Sequence, residues 1–98
     1  MSEQKQQQEV KVTFPEHLKG GVYCNSMFVA HSREEFIMDF LMVAPPAGSV
    51  VSRVVMSPGH MKRVVAALQD NITKYEKNIG KIQEAAEPVK GKIGFHTP

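Results

Sequence analysis

The chain has few of the residues on which catalysis, metal binding and covalent cross-linking usually depend. It contains one cysteine, Cys24, and no tryptophan among its 98 residues. A single thiol cannot form an intrachain disulfide, so nothing indicates an oxidising compartment. Cys-x-x-Cys, His-x-x-x-His and Glu-x-x-His patterns and glycine-rich phosphate loops are all absent from the sequence. We therefore predict no metal site, no cofactor and no enzymatic activity.

Long apolar runs and a strong excess of charge are also missing. No run approaches the roughly 20 residues that cross a bilayer, and residues 1–8 are too polar to serve as a signal peptide. The net charge of +2 is smaller than nucleic-acid-binding proteins usually carry. These absences predict a cytoplasmic protein that does not contact membranes.

What remains is an ordinary globular composition, with 42% hydrophobic and 22% charged residues. A domain of this length buries only about two-thirds of its unfolded surface, so its stability is marginal without a partner. We predict a disordered tail over residues 1–8 and a single α+β domain over 9–80. A short helical piece and a flexible tail are expected over 81–98.

Four segments have the residue pattern of β-strands: 9–14, 22–30, 36–43 and 50–56. The third is ambiguous, because Ser32 and Glu35 before it match a helix capping box. We prefer a strand, since eight residues are short for a helix and apolar strand candidates lie on both sides.

One long helix is predicted over residues 58–79. Ser57 and Pro58 suit its N-cap and first position, and Gly80 suits its end. Apolar residues follow at alternating spacings of four and three: Met61, Val65, Leu68, Ile72, Tyr75 and Ile79. The fold class is therefore α+β, a four-stranded antiparallel sheet followed by one long C-terminal amphipathic helix.

The predicted sheet has more apolar surface than one helix can cover. Centring one hairpin on Pro46 places Asp39 opposite Arg53, and centring the preceding turn on Arg33 places Met27 opposite Asp39. The face that carries Asp39 is then an apolar interface made of Tyr23, Met27, Val29, Ile37, Leu41, Val51 and Val55. Because monomers seldom expose large apolar patches, we expect a dimer or tetramer. The alternative is a monomer in which residues 32–43 are helical and cover that face.

Asp39 and Arg53 are the only charged residues inside the three apolar strand segments 22–30, 36–43 and 50–56. As a partly buried ion pair on the interface they would specify the geometry of assembly, because removing one partner leaves the other charge buried and unpaired. The alternative is that both lie at a strand edge and reach water.

Other candidate groups have simpler explanations. Cys24 is expected to be a small core residue rather than a nucleophile, and His31 with the glutamates after it forms a solvated turn. The helix also carries a basic face, which we interpret as solvated in preference to a nucleic-acid contact. Its residues are Lys62, Arg63, Lys74 and Lys77.

Four strings carry a resemblance to a known family: Val-Tyr-Cys-Asn at 22–25, His-Ser-Arg-Glu-Glu-Phe-Ile-Met-Asp-Phe at 31–40, Arg-Val-Val-Met-Ser-Pro-Gly-His-Met-Lys-Arg at 53–63 and Ala-Leu-Gln-Asp-Asn-Ile-Thr-Lys-Tyr-Glu at 67–76. Over about residues 20–80 the chain resembles a small bacterial family known as domain of unknown function 3467. The resemblance implies a compact domain and brings no activity, cofactor or site residues. In architecture alone, four strands followed by a helix is similar to the SecB export chaperone, a cytoplasmic tetramer that holds unfolded chains.

Two functions follow as hypotheses. The first is a homo-oligomeric binding or scaffold module that holds apolar protein segments in a SecB-like way, with its own copies, or another protein, as partners. The second is a nucleic-acid-binding or regulatory protein that uses the basic face of the 58–79 helix.

Overall fold

The protein consists of a three-stranded antiparallel sheet followed by one long helix. A computed structural model describes residues 8–88. The sheet has the order β1-β2-β3, and a single 3-10 turn at Glu16–Leu18 precedes it. The elements are β1 (Ser26–His31), β2 (Phe36–Ala44), β3 (Ala47–Met56) and α1 (Pro58–Asn78). The α+β class is confirmed, and the prediction of four strands is wrong.

The strand predicted over residues 9–14 does not form within the described chain. Within residues 8–88 this segment pairs with no strand of the sheet, and Val10, Val12 and Phe14 are exposed. The alternation of apolar and polar residues shows only that an extended segment would have one apolar and one polar face. A strand also requires a neighbour that accepts and donates its backbone hydrogen bonds, and the described residues supply none.

A tight turn at residues 32–35 joins β1 to β2. The Ser32 N–H donates to the Glu35 carbonyl at 2.9 Å, and the Ser32 hydroxyl accepts the N–H groups of Glu34 and Glu35, each at 3.2 Å. This bonding resembles that of the predicted capping box, but it closes a hairpin. Residues 36–43 therefore form a strand, as predicted, and not a helix.

The register of this hairpin corrects the predicted one by a single residue. Phe28 lies opposite Asp39, and Met27 lies opposite Phe40. The turn is centred between Arg33 and Glu34, half a residue beyond the predicted centre. That shift is enough to move every β1 side chain to the other face relative to β2.

The β2–β3 hairpin has a two-residue turn whose Pro45-Pro46 bond is cis. Its register changes between Phe40, which lies opposite Ser52, and Leu41, which lies opposite Val50, so Val51 occupies a bulge. The turn is centred half a residue before the predicted position, and the bulge restores the predicted pairing of Asp39 with Arg53.

Helix α1 begins as the sequence predicts. Ser57 is the N-cap, and its side chain accepts the His60 N–H at 3.2 Å. The helix ends at Asn78, with Ile79 as its C-cap and Gly80 following at a φ of 155°. Asp70 and Lys74 form the predicted i,i+4 ion pair at 2.9 Å.

The helix was expected to cover one face of the sheet, and it covers neither. No residue of α1 is buried, and the helix meets the sheet near its first two turns, beside Phe36. The buried apolar residues of the described chain are Met38, Leu41 and Val43, all on the central strand. The packed core is therefore very small.

The structure covers only part of the segments predicted as tails at the two chain ends. Residues 81–88 contain no helix, so the short helical piece is not present there. The disordered tail predicted over 1–8 lies, apart from residue 8, outside the described residues. The flexible tail beyond residue 88 does so as well.

A candidate oligomer interface

Asp39 and Arg53 form the ion pair that their register predicts. The Arg53 Nε donates to Asp39 Oδ1 at 2.6 Å, and Arg53 Nη2 donates to Oδ2 at 2.8 Å. The two parallel bonds match the fork of the guanidinium to the carboxylate. The Asp39 side chain is only 12% exposed, whereas that of Arg53 is 64% exposed. The carboxylate is therefore shielded on its face of the sheet, whereas the guanidinium reaches solvent.

The same contact shifts the titration of both groups. Hydrogen bonding to Arg53 lowers the pKa of the Asp39 carboxyl below its usual value; partial burial opposes this and the positive charge adds to it. Hydrogen bonding to Asp39 raises the pKa of Arg53. Asp39 therefore stays ionised at neutral pH.

The structure divides the predicted interface residues between two sheet faces. Phe28 pairs with Asp39 and shares its face of the sheet, so the neighbouring Met27 and Val29 lie on the other face. Their assignment to the Asp39 face is wrong, and the one-residue register error is the reason. Tyr23 precedes β1 and is exposed, and Leu41 is buried rather than available to a partner.

Both faces carry exposed apolar side chains on the edge strands. We call one the Asp39 face and the other the methionine face. The Asp39 face consists of Phe28, Ala30, Ile37, Asp39, Leu41, Val43, Val50, Arg53 and Val55. The methionine face consists of Met27, Val29, Phe36, Met38, Phe40, Met42, Val54 and Met56. The buried side chains of both faces lie on the central strand, although Met42 of that strand is exposed.

The apolar stripe of α1 is uncovered as well. We call Met61, Val65, Leu68, Ile72, Tyr75 and Ile79 the α1 seam. Its middle is open to solvent, with Val65 56% and Leu68 59% exposed. Sequence reasoning found this stripe but expected the sheet to cover it.

An apolar cleft joins the α1 seam to the methionine face. It has a volume of about 460 Å³ and is lined by Phe36 of the sheet and by Pro58, Gly59, Met61, Lys62 and Val65 of the helix. The uncovered surfaces of the helix and the sheet are therefore continuous.

Sequence reasoning missed the role of Asn25. Its Nδ2 donates to the Val43 carbonyl and its Oδ1 accepts the Val43 N–H, both at 2.9 Å. Its own N–H donates to the Leu41 carbonyl at 3.0 Å. The Asn25 amide thus makes the two hydrogen bonds to Val43 that a further backbone residue before β1 would make. An asparagine just before an apolar strand is the available signal, since its amide imitates a peptide group.

The predicted basic face is partly neutralised by contacts within the helix. Lys74 pairs with Asp70 at 2.9 Å, and Arg63 Nη2 lies 2.9 Å from the His60 ring nitrogen Nδ1. Lys62 and Lys77 form no ion pair within residues 8–88. The four side chains lie along one helix without converging on a pocket.

Other candidates are resolved more simply. Cys24 is exposed and precedes β1, so its assignment to the core is wrong. His31 stacks on Phe36 with a ring-centroid distance of 5.4 Å. No group of three or more His, Cys, Asp or Glu residues suited to a metal ion occurs within residues 8–88.

The sequence matches a family model, described as protein of unknown function (DUF3467), over residues 1–84. The chain belongs to this family. Its match extends beyond the 20–80 range of the resemblance. No match is found among the curated proteins or the solved structures. Within the described residues, no helix has both the length and the apolar character needed to span a bilayer.

Proposed function

We propose that the protein is a non-enzymatic, cytoplasmic, homo-oligomeric scaffold that holds apolar segments of other proteins. The observation that carries this proposal is the uncovered apolar surface on both sheet faces and along the α1 seam, beside a core of three buried apolar residues within residues 8–88. The cytoplasmic location rests on the single cysteine, which cannot form an intrachain disulfide.

The exposed apolar side chains of the described residues support association. Val29 of β1 is 51% exposed, Val55 of β3 46% and Leu68 of α1 59%. A specific interface of standard size buries about 800 Å² on each partner. Burial of apolar area contributes about 25 cal/mol per Å², less the costs of association.

The composition of the methionine face supports the binding part of the proposal. Met27, Met38, Met42 and Met56 lie on it, and methionine side chains adapt their shape to varied apolar partners. Met27 and Met42 are exposed. Such a surface suits segments that share apolar character without sharing a sequence.

The first experiment measures molar mass in solution by light scattering behind size-exclusion chromatography. The native chain is compared with Asp39→Ala and, as a matched control, Asp70→Ala, which also removes an acidic partner of a cation. We expect a stable dimer or tetramer that Asp39→Ala weakens, because Arg53 loses its partner within the sheet and the folded protomer that associates is destabilised. Asp70→Ala should leave the mass unchanged. A native monomer at high concentration would overturn the proposal.

The second experiment tests the binding of apolar segments. We expect fluorescently labelled apolar peptides of unrelated sequence to bind, and Met27→Lys combined with Met42→Lys to abolish binding. Peptides of the same length without apolar residues are the control. Failure to bind any apolar peptide would remove the holding function and leave the scaffold. The nucleic-acid alternative remains a prediction; it requires a shift of labelled RNA or DNA that weakens steeply with salt.

A further inference from the structure

We infer that the α1 seam packs against the α1 seam of a second copy, with the two helices antiparallel. This inference rests on the proposed homo-oligomer and identifies the part of the chain that joins the copies. The seam runs from Met61 to Ile79, which is about 27 Å along the helix axis. Met61 is partly shielded in the cleft beside Phe36, and the seam is exposed from Val65 to the C-cap Ile79.

The spacing of the seam suits a coiled coil as well as a helix that lies on a sheet. Its residues are separated by four, three, four, three and four positions, which gives the mean repeat of 3.5 that two supercoiled helices require. In heptad terms the a positions are Val65, Ile72 and Ile79, and the d positions are Met61, Leu68 and Tyr75.

The residue volumes favour antiparallel packing. In this orientation each a position faces a d position, so Tyr75 packs against Val65 of the second copy. A large side chain then meets a small one, which fills a layer without strain. In a parallel pair, Tyr75 would face Tyr75 and Val65 would face Val65, and successive layers would be overfilled and underfilled.

The flanking charges favour the same orientation. Positions on the e side of the seam are Lys62, Gln69 and Glu76. In antiparallel helices e faces e, so Lys62 meets Glu76 of the second copy twice across the symmetry axis. In a parallel pair e faces g, where Glu76 would meet Asn71, and no opposite charges would come together.

Both charged groups are available for this contact. Lys62 forms no ion pair within residues 8–88. Glu76 uses Oε2 to accept the Ile82 N–H at 2.9 Å, and its other carboxylate oxygen can accept from Lys62. The proposed pairs therefore break no ion pair of the single chain.

Charge reversal tests the orientation. In Lys62→Glu two glutamates face two glutamates, and in Glu76→Lys two lysines face two lysines. We expect each single variant to associate about 10- to 30-fold more weakly at low salt. An equimolar mixture should recover the native affinity, because each unlike pair is then restored. The double variant Lys62→Glu with Glu76→Lys should recover it too. Light scattering over a dilution series is the readout, and Lys77→Glu, away from the seam, is the matched control.

A seam variant separates this inference from the proposed function. Leu68→Glu places a charge in the central layer and should weaken association at least 100-fold, while circular dichroism checks that the helix still forms. Loss of association in Leu68→Glu without any effect of the charge reversals would mean that the seam packs against another surface, and would overturn antiparallel helix pairing. An oligomer indifferent to all these variants would overturn the inference and leave the homo-oligomer. A native monomer would overturn both.

Discussion

Asp39 ties the stability of the sheet to pH. Because its contact with Arg53 lowers the carboxyl pKa in the folded state, folding is favoured when the group is ionised. This contribution is complete above the unfolded pKa of about 3.9 and is lost as the pH falls through the lower folded pKa. We expect the free energy of unfolding in urea to decrease below about pH 4 at fixed protein concentration.

The variant Asp39→Asn should lack this part of the acid dependence, because an amide does not titrate. It should be less stable than the native chain at pH 7, and the two should approach one another as the pH falls. A curve for Asp39→Asn with the native pH dependence would show that other carboxyl groups control acid unfolding.

Asn25 makes a second prediction at the scale of single residues. Its amide satisfies the N–H and C=O of Val43, a residue that is buried. Replacing it with alanine removes both partners, and we expect a loss of about 1–2 kcal/mol in the free energy of unfolding. Asn71→Ala is the matched control, since its amide donates to a carbonyl on the exposed helix. Equal losses in the two variants would mean that Asn25 does not hold the β1–β2 ladder.

The sequence indicated one of these two contacts. Asp39 and Arg53 were predicted because charged residues inside apolar strands need a partner, and the hairpin turn set their distance. The contact of Asn25 depends on where β1 begins, at Ser26. Composition does not locate a strand end to one residue, so the amide could not be assigned to Val43 beforehand.

At the scale of elements, local signals located the helix well and the strands less well. Ser57 and Pro58 define the start of α1 by their own bonding and geometry. The register of β1 depended on half a residue in a turn, and that small error exchanged Met27 with Phe28 between the faces. Strand pairing couples distant residues, so a small local error changes a whole face.

The segment 9–14 makes a prediction at this scale. Its apolar and polar residues alternate, but within residues 8–88 it pairs with no strand. Hydrogen exchange followed by mass spectrometry distinguishes two cases. In a protomer kept monomeric by Leu68→Glu, we expect these amides to exchange within seconds, like unstructured chain. Protection in that monomer would mean that a neighbour within the chain covers the segment.

At the scale of the whole molecule, the sequence predicted an excess of apolar surface but not its extent. A long amphipathic helix after a small sheet was expected to cover one face, since covering is the usual result of that order of elements. The structure leaves the α1 seam and the edge-strand residues of both faces open. The proposed pairing of two α1 seams would account for the difference, because a repeat of 3.5 suits packing against another helix.

The proposed homo-oligomer predicts that the fold loses stability on dilution. Only Met38, Leu41 and Val43 form the buried apolar core of the described chain, so most of the stabilising burial would come from association. We expect the Tm to rise with protein concentration, as it does when folding and assembly are linked. Leu68→Glu should have a lower Tm that does not change with concentration. The measurement is thermal unfolding by circular dichroism over at least a hundredfold range of concentration. A native Tm that stays constant over that range would show that the single chain is stable by itself.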